Sequence, residues 1–578
     1  MRAITAADYL VEALIANGVS DVFGYQGGMI AYVFDSLGRY RDSISYHSCG
    51  SEQGAAFAAC AYAQATDGLG VAISTSGPGF TNLLTGVANA WFDSVPVLFV
   101  SGNVNTKDKL RDNPFRQNGF QEIQASKMAA PVTKKSVEVE LDTAFAACLD
   151  DAIETAMSGR MGPVYLDLPI NICRETVEFD GIAAFERAPM GRCDVSFVVD
   201  ALSEAKRPVI IAGAGIAQAG CRDRFRELVH VLGVPVVTTM PGIGLLPSDD
   251  QLMLGYIGGT ARREAGIALQ NADFVLSLGA RLCSKQVGHN MTLFAPMAER
   301  FIRVDIDEAE FAHQLKDCEQ DVLADLRSFI PSLLACMRED DCERRHGDWV
   351  RRCSEMRCLL AECDMTSANT MFRDITQMLP DNANVILDVG KNLNYACQSA
   401  IVKNGMELFM SAGLGAMGYA IPAAIGAFYG NGHPTYAFTG DGGAQMNIQE
   451  LNTIAKNGLP VKTFVMNNRA LGNILLFQDS YLGARHVATS ESEGDYFSCD
   501  FTAIAEAYGM EGVKLYGIDG LVDYADLLTN DEPVLFEICY EDCPSMPGIV
   551  AGGKYLAEGT GLGLDVITQV KEIMGVKA

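Results

Sequence analysis

The sequence predicts an α/β protein of three doubly wound parallel-sheet domains, and three observations carry that prediction. The 578 residues are too many for one hydrophobic core and suit about three. Short apolar runs ending at glycine alternate with stretches of helical periodicity along the whole chain, the pattern of buried parallel strands joined by helices. Hydrophobic residues make up 49% and there are 57 glycines, which supply the turns that such a fold requires.

The elements follow in chain order. The start, MRAITAADYLVEALIANG, has the spacing of an amphipathic helix and lacks the long apolar core of a signal peptide. VAISTSG (71–77), VPVLFVSG (95–102) and GPVYLDLPIN (162–171) predict strands of a first unit, 1–175. The charged, aperiodic stretch 173–192 predicts a linker. RPVIIAGAG, VPVVTTM, ADFVLSLGA and RFIRVDID predict strands of a second unit, 190–335, and the charged, cysteine-bearing stretch 333–362 predicts a helical connector. NVILDVG, TYAFTG, VKTFVMNN and PVLFEIC predict strands of a third unit, 365–578. Residues 408–440 contain no Asp, Glu, Lys or Arg, but their glycines and prolines predict a loop, a buried helix and a buried strand, not a membrane span.

Composition narrows the function. A formal net charge of −28 repels phosphate backbones and anionic lipid, so nucleic acid and membrane surfaces are poor partners. Seventeen cysteines, an odd number without paired CxxC sets, fit reduced thiols in a cytoplasmic protein. Seven histidines, none at metal-ligand or triad spacing, count against a zinc hydrolase.

The most informative stretch is GDGGAQMNIQELNTIAKNGLPVKTFVMNN (440–468). It reads as a strand ending at Gly440, a helix stopped by Gly458 and Pro460, and a second strand. A parallel crossover lays the second strand beside the first, so Asp441 and Asn468 converge at the carboxyl edge although 27 positions separate them. Both offer oxygen ligands for a hard cation such as Mg²⁺. The helix N-terminus between them favours phosphate, and Gly442 and Gly443 allow close backbone approach. The physical reading is a magnesium-bridged diphosphate site.

With its strand–helix–strand placement, GDG followed by NN resembles the thiamine diphosphate motif. The resemblance implies Asp441, the Asn468 side chain and the Ala470 carbonyl as Mg²⁺ ligands. SEQGAAFAACAYAQAT (51–66) is similar to the segment bearing that family's catalytic glutamate, here Glu52. A carboxyl bonded to the cofactor's aminopyrimidine drives its imino form, and an apolar pocket favours a protonated carboxyl. TSGPGFTNLLTGVANAWFDSVPVLFVSG and GFQEIQASKMAAPVTK closely resemble the acetolactate synthase group, which makes Gln121 an active-site glutamine. SAGLGAMGYAIPAAIGA (411–427) resembles the stretch whose methionine, here Met417, props the cofactor into a bent shape, with Gly415 beside it. GKNLN places Gly390, Lys391 and Asn392 at the diphosphate turn, where the group usually has Gly-Gln-His; Gly440 completes that set. The family shares active centres between subunits, which implies a homodimer or homotetramer, with Glu52 of one chain facing Asp441 of another. The three units then become pyrimidine-binding, central and diphosphate-binding domains.

Three departures bear on function. Biosynthetic members hold FAD in the central domain, and RPVIIAGAGIAQAG and Arg281 suit it. GYIGG (255–259) lacks the usual histidine, however, and Cys283 and Ser284 replace an acid pair, so the sequence leaves FAD open. Phe477 stands where tryptophan is usual and Asn473 where methionine is usual. Gln26, beside Gly27, replaces a proline. These residues line the second-substrate pocket, where one ring or methylene changes discrimination by about 1–3 kcal/mol. The implied reaction is decarboxylation of pyruvate and transfer of the two-carbon unit to a second 2-oxo acid. Transfer to an aldehyde or a keto-sugar nucleotide and simple 2-oxo acid decarboxylation are the alternatives. A dehydrogenase built on the central glycines lacks the ribose-binding acid about twenty residues on. A non-catalytic subunit is disfavoured by Glu52, Asp441 and Asn468.

Overall fold

The computed structural model describes residues 2–110, 114–188, 190–338, 346–361, 363, 365–542, 546 and 562–575. Three six-stranded sheets, each wholly parallel, are separated by helices. The first sheet spans strands from Asp21–Gly24 to Val164–Pro169, and the third from Asn384–Leu387 to Val534–Cys539. Both have strand order 2-1-3-4-6-5, counted from each sheet's first strand. The middle sheet, from Pro208–Ala212 to Glu319–Leu323, has order 3-2-1-4-5-6. Open parallel sheets bind ligands where the order reverses. In the first and third sheets that point lies between strands 1 and 3, and in the middle sheet between strands 1 and 4.

The strands read from apolar runs are all interior ones. Val97–Asn103 and Val164–Pro169 are buried along their whole length, because helices cover both faces of a parallel sheet. The six strands at the sheet edges escape that reading: Ser45–Ser48, Lys135–Glu138, Met253–Tyr256, Glu319–Leu323, Glu407–Met410 and Glu511–Tyr516. An edge strand such as EQDVL exposes the polar Gln320 and Asp321 and so lacks a continuous apolar run.

Four local expectations are corrected. The opening segment is a strand, Arg2–Thr5, before helix Ala6–Ala16, with Thr5 as N-cap. The expected linker contains strand Thr176–Phe179, paired antiparallel with that first strand. The helix after Gly440 is two helices, Asp441–Met446 and Glu450–Lys456, broken at 447–449. Helix Gly347–Leu360 of the expected connector is part of the middle core: Trp349, Cys353 and Met356 are buried, and the Trp349 indole donates to the Pro208 carbonyl at 3.0 Å. Residues 339–345 and 362 of that connector lie outside the described residues.

The first and third domains meet through small residues. Gly426 and Gly430 of helix Ala420–Asn431 let helix Glu52–Thr66 pack so closely that a Cβ at Gly426 would lie 1.8 Å from the Ala58 carbonyl oxygen. Among the described residues no helix is long and apolar enough to cross a membrane.

One buried acid gives a stability prediction. Asp167 lies inside the first sheet and accepts from the Asn103 amide at 2.8 Å; burial pushes its carboxyl up to about 7, against the pull of that amide. Its folded-state proton affinity exceeds the unfolded one. Its stabilising contribution is therefore full below about pH 4 and lost as pH rises through about 7. Thermal melts at about pH 5.5 and 8 should show wild type losing more stability over that interval than Asp167→Asn. Parallel losses would show that Asp167 does not titrate in this window.

Candidate active site

In the third sheet Gly440 lies opposite Met466 on the neighbouring parallel strand. One step further, Asp441 leaves one strand beside Asn467, and Asn468 follows at the same edge. Asp441 is buried, and its Oδ2 accepts from the Tyr496 hydroxyl at 3.0 Å. Burial pushes this carboxyl up to about 6, opposed by Tyr496 and local backbone N–H groups. Asn467 fixes the turn: its Nδ2 donates to Glu537 at 2.7 Å, and its Oδ1 accepts from the Arg469 N–H at 3.0 Å. Arg469 takes a left-handed φ of 55°, which turns the chain so that the Ala470 N–H donates to Asn468 Oδ1 at 3.3 Å. The Ala470–Ser490 bridge uses the Arg469 carbonyl and the Leu471 N–H, so by strand alternation the Ala470 carbonyl faces the opposite side. Asp441, Asn468 and Ala470 thus offer a carboxylate, an amide oxygen and a carbonyl, hard donors that fit Mg²⁺.

The surrounding glycines divide into two kinds. A side chain at Gly442 would strike Leu471 at 2.7 Å and lie 3.3 Å from Met417 Cε, so the glycine lets Met417 reach this edge. A side chain at Gly443 would strike Thr439 Oγ1 at 2.7 Å and the Asp388 carboxyl at 3.1 Å. Gly390 and Gly440, by contrast, face open space, and Gly390 opens helix Lys391–Ser399 with φ 109°. Gly415, with φ 69°, lies in the Met417 loop with only Val389 Cγ1, at 4.0 Å, near its missing Cβ. Lys391 is buried with its ammonium 2.9 Å from Asp542, whereas the Asn392 amide donates to the Asp388 and Phe438 carbonyls at 3.1 and 3.2 Å and ties two strand ends together.

A second cluster forms at the carboxyl edge of the first sheet. Glu52 opens helix Glu52–Thr66, capped by Ser51, whose Oγ accepts from the Gly54 N–H at 3.0 Å. Its Oε2 accepts from the Asn82 amide at 3.0 Å, and its Oε1 lies 3.4 Å from where a Gly79 side chain would begin. Gly27 packs on Thr75, and Gly77 (φ 58°) lies under the Gln121 backbone. Gln121 has a left-handed φ of 64°, local strain of the kind that collects in functional loops. Gln26, next to Gly27, is exposed. Among the described residues the Glu52 carboxylate hydrogen-bonds only to Asn82, within its own domain.

The structure therefore gathers Gln26, Gly27, Gln121 and Glu52 in one cluster, and Asp441, Asn468, Ala470, Met417 and the glycine turns in another. Asn473 and Phe477 project into solvent from helix Gly472–Tyr481 beside the second cluster, with the Phe477 ring 5.0 Å from that of Tyr481. Over the middle sheet lies a cleft of about 480 Å³, lined among others by Arg160, Gly215, Thr239, Arg281 and Lys285.

Several contributors were missed from the sequence. Asp388 ends an interior strand and grips the Met417 loop through the Gly418 N–H at 3.1 Å and Ala420 N–H at 3.3 Å; burial raises its carboxyl to about 6, against these N–H groups. The one signal was an acid closing the apolar run NVIL. Asp93 of the first domain holds the same loop, accepting from the Gly413 N–H at 2.7 Å. Glu450 accepts from the Gly50 N–H at 2.8 Å, fixing the turn before Glu52 from the third domain. Asn82, Tyr496 and Asp542 carry no local signal, because folding alone brings them to these sites.

Comparison with known proteins agrees with this geometry. Residues 4–128 match the thiamine pyrophosphate enzyme N-terminal TPP binding domain, 195–333 the central domain and 388–538 the C-terminal TPP binding domain. The chain is 30% identical to the probable acetolactate synthase large subunit of Methanocaldococcus jannaschii, over 95% of this chain and 94% of that protein. It is 30% identical to the acetolactate synthase isozyme 2 large subunit of Escherichia coli K12, over 96% and 99%. Identity is 31% to the acetolactate synthase large subunit of Lactococcus lactis, over 96% of each chain. Three parallel α/β sheets, matched in order by three domain models of one family, establish that this chain belongs to the thiamine pyrophosphate enzymes, as a thiamine diphosphate-dependent transferase similar to acetolactate synthase large subunits.

Proposed function

We propose that this enzyme is a Mg²⁺-dependent carboligase that decarboxylates pyruvate and joins the two-carbon unit to a second 2-oxo acid. In this reading residues 1–175 hold the cofactor's pyrimidine, 190–335 form the central domain and 365–578 hold its diphosphate. The observation that carries it is the convergence of Asp441, Asn468, Ala470 and Met417 at the carboxyl edge of the third sheet. Thiamine diphosphate supplies the electron sink for decarboxylation when bound.

The chain's own residues do the rest. Asp441, Asn468 and the Ala470 carbonyl hold the cation that neutralises the diphosphate. Met417 occupies the space over Gly442 and shapes the cofactor's bend. Glu52 holds the proton at the pyrimidine nitrogen, with Asn82 fixing one carboxylate oxygen. Gln26, Gln121, Asn473 and Phe477 face the acceptor. Because Asn473 and Phe477 replace bulkier apolar groups on an exposed helix face, an aldehyde or keto-sugar acceptor is the second reading. A homodimer or homotetramer completes the site. Phe120, beside Gln121, is 77% exposed, and Phe477 and Tyr481 are 52% and 71% exposed. Such rings beside two half-sites suit a subunit interface. The central cleft, with Arg281 and Gly215, is read as an FAD site. Purified protein without flavin absorbance, and without a rise in Tm on adding FAD, would remove that assignment.

The deciding assay supplies pyruvate, thiamine diphosphate and Mg²⁺ and measures acetolactate. Product formation supports both donor and acceptor. Cofactor binding without acetolactate, but with product once an aldehyde or keto-sugar is added, would favour the second reading.

A further inference from the structure

Asp542, just past the last strand of the third sheet, collects three donors. Lys391 Nζ lies 2.9 Å and Asn468 Nδ2 3.1 Å from its Oδ2, and the Tyr395 hydroxyl lies 3.0 Å from its Oδ1. The Lys391 side chain is 4% exposed and that of Asp542 10%, so this charge pair is withdrawn from water, where its geometry is held firmly. Gly472 makes room for it: a Cβ there would come within 2.9 Å of both Asn468 Nδ2 and Asp542 Oδ2.

The network settles which way the Asn468 amide points. Asp542, as a carboxylate, only accepts, so the atom facing it is the amide nitrogen. The Ala470 N–H only donates, so the atom facing it is the amide oxygen. Both neighbours select the same orientation, with the nitrogen turned to Asp542 and the oxygen to the Ala470 backbone. Lys391 begins its helix, where a cation opposes the helix dipole unless a counter-charge is near. Asp542 is that counter-charge, and it leaves the ammonium at a helix end suited to phosphate.

We propose that Asp542 is a positioning residue for the metal–diphosphate site, holding the Asn468 amide by its nitrogen so that the oxygen is presented to the cation, and holding Lys391 at the phosphate end. The proposal rests on the reading of Asp441 and Asn468 as cation ligands. Outer-shell partners of this kind change metal affinity by about 10–100-fold.

The test measures Mg²⁺ binding calorimetrically on full-length protein at saturating thiamine diphosphate. Asp542→Asn keeps a carbonyl oxygen that can accept from Asn468, and it should change the half-saturating Mg²⁺ concentration less than about threefold. The double variant Asp542→Leu/Lys391→Met, which removes the acceptor together with the buried charge facing it, should raise that concentration at least about tenfold with the Tm of the cofactor-free protein near that of wild type. Tyr395→Phe, which removes a donor from the other oxygen, and Lys391→Met alone should each change it less than about threefold. Wild-type Mg²⁺ affinity in Asp542→Leu/Lys391→Met, or the same loss in Asp542→Asn or Lys391→Met alone, would overturn the proposal. A cofactor-free double variant that melts far below wild type would also overturn it, by showing a purely structural role. Asp441→Asn separates the two levels. If it too binds Mg²⁺ like wild type, the underlying site reading fails; if it alone loses Mg²⁺, only the role of Asp542 fails.

Discussion

Glu52→Gln is expected to lower acetolactate formation by about 10²–10⁴-fold, the usual contribution of a positioned acid–base group. The amide keeps the shape of the side chain and can still meet Asn82, so folding and cofactor affinity should be preserved. What it loses is the ability to hold and release a proton. The position supports this role: Glu52 opens a helix whose next turns are buried Ala, Phe and Cys, and the Ser51 cap and the Glu450 clamp hold its backbone. The measurement is steady-state kcat/KM alongside thiamine diphosphate affinity and Tm. A rate within about threefold of wild type would remove Glu52 from the proton relay, and an equal loss in binding and rate would make it a binding residue instead.

Asp441→Asn should weaken Mg²⁺-dependent cofactor binding by more than about 100-fold, because outer-shell groups alone are worth about 10–100-fold and this is the charged first ligand. The shape hardly changes, whereas the charge that the buried pocket holds for a cation disappears. Cofactor binding by calorimetry with and without Mg²⁺ reads the effect directly; wild-type affinity would sink the assignment. The two variants together test the shared site. In homodimers formed at random by co-expressing equal amounts of the two inactive chains, half the dimers have one intact site, so about a quarter of wild-type activity should return. No recovery in verified mixed dimers would place Glu52 and Asp441 of the same chain in one site.

The interior strands other than Asp21–Gly24, and the motif, were legible in the sequence for one physical reason: each depends on neighbours in the chain. VLFV and VYLDL must be buried strands because helices cover both sheet faces. Asp441 and Asn468 could be brought together on paper because a right-handed crossover forces adjacent parallel strands to end at one edge. The edge strands were not legible, since one flank in water relaxes the demand for apolar residues. Nor was the break at 447–449, where Asn447 leaves the helical path to donate to the Gly418 carbonyl at 2.8 Å, a contact with a distant loop. The sequence by itself determined three parallel-sheet domains, a cofactor class and the residues proposed to meet it. Only the tertiary structure decided what holds those residues: Asn82 on Glu52, Asp388 and Asp93 on the Met417 loop, Tyr496 on Asp441 and Asp542 on Asn468. Hydrogen bonds between residues 30 to 320 positions apart leave no periodicity or spacing in a chain, because the fold alone sets which side chains meet.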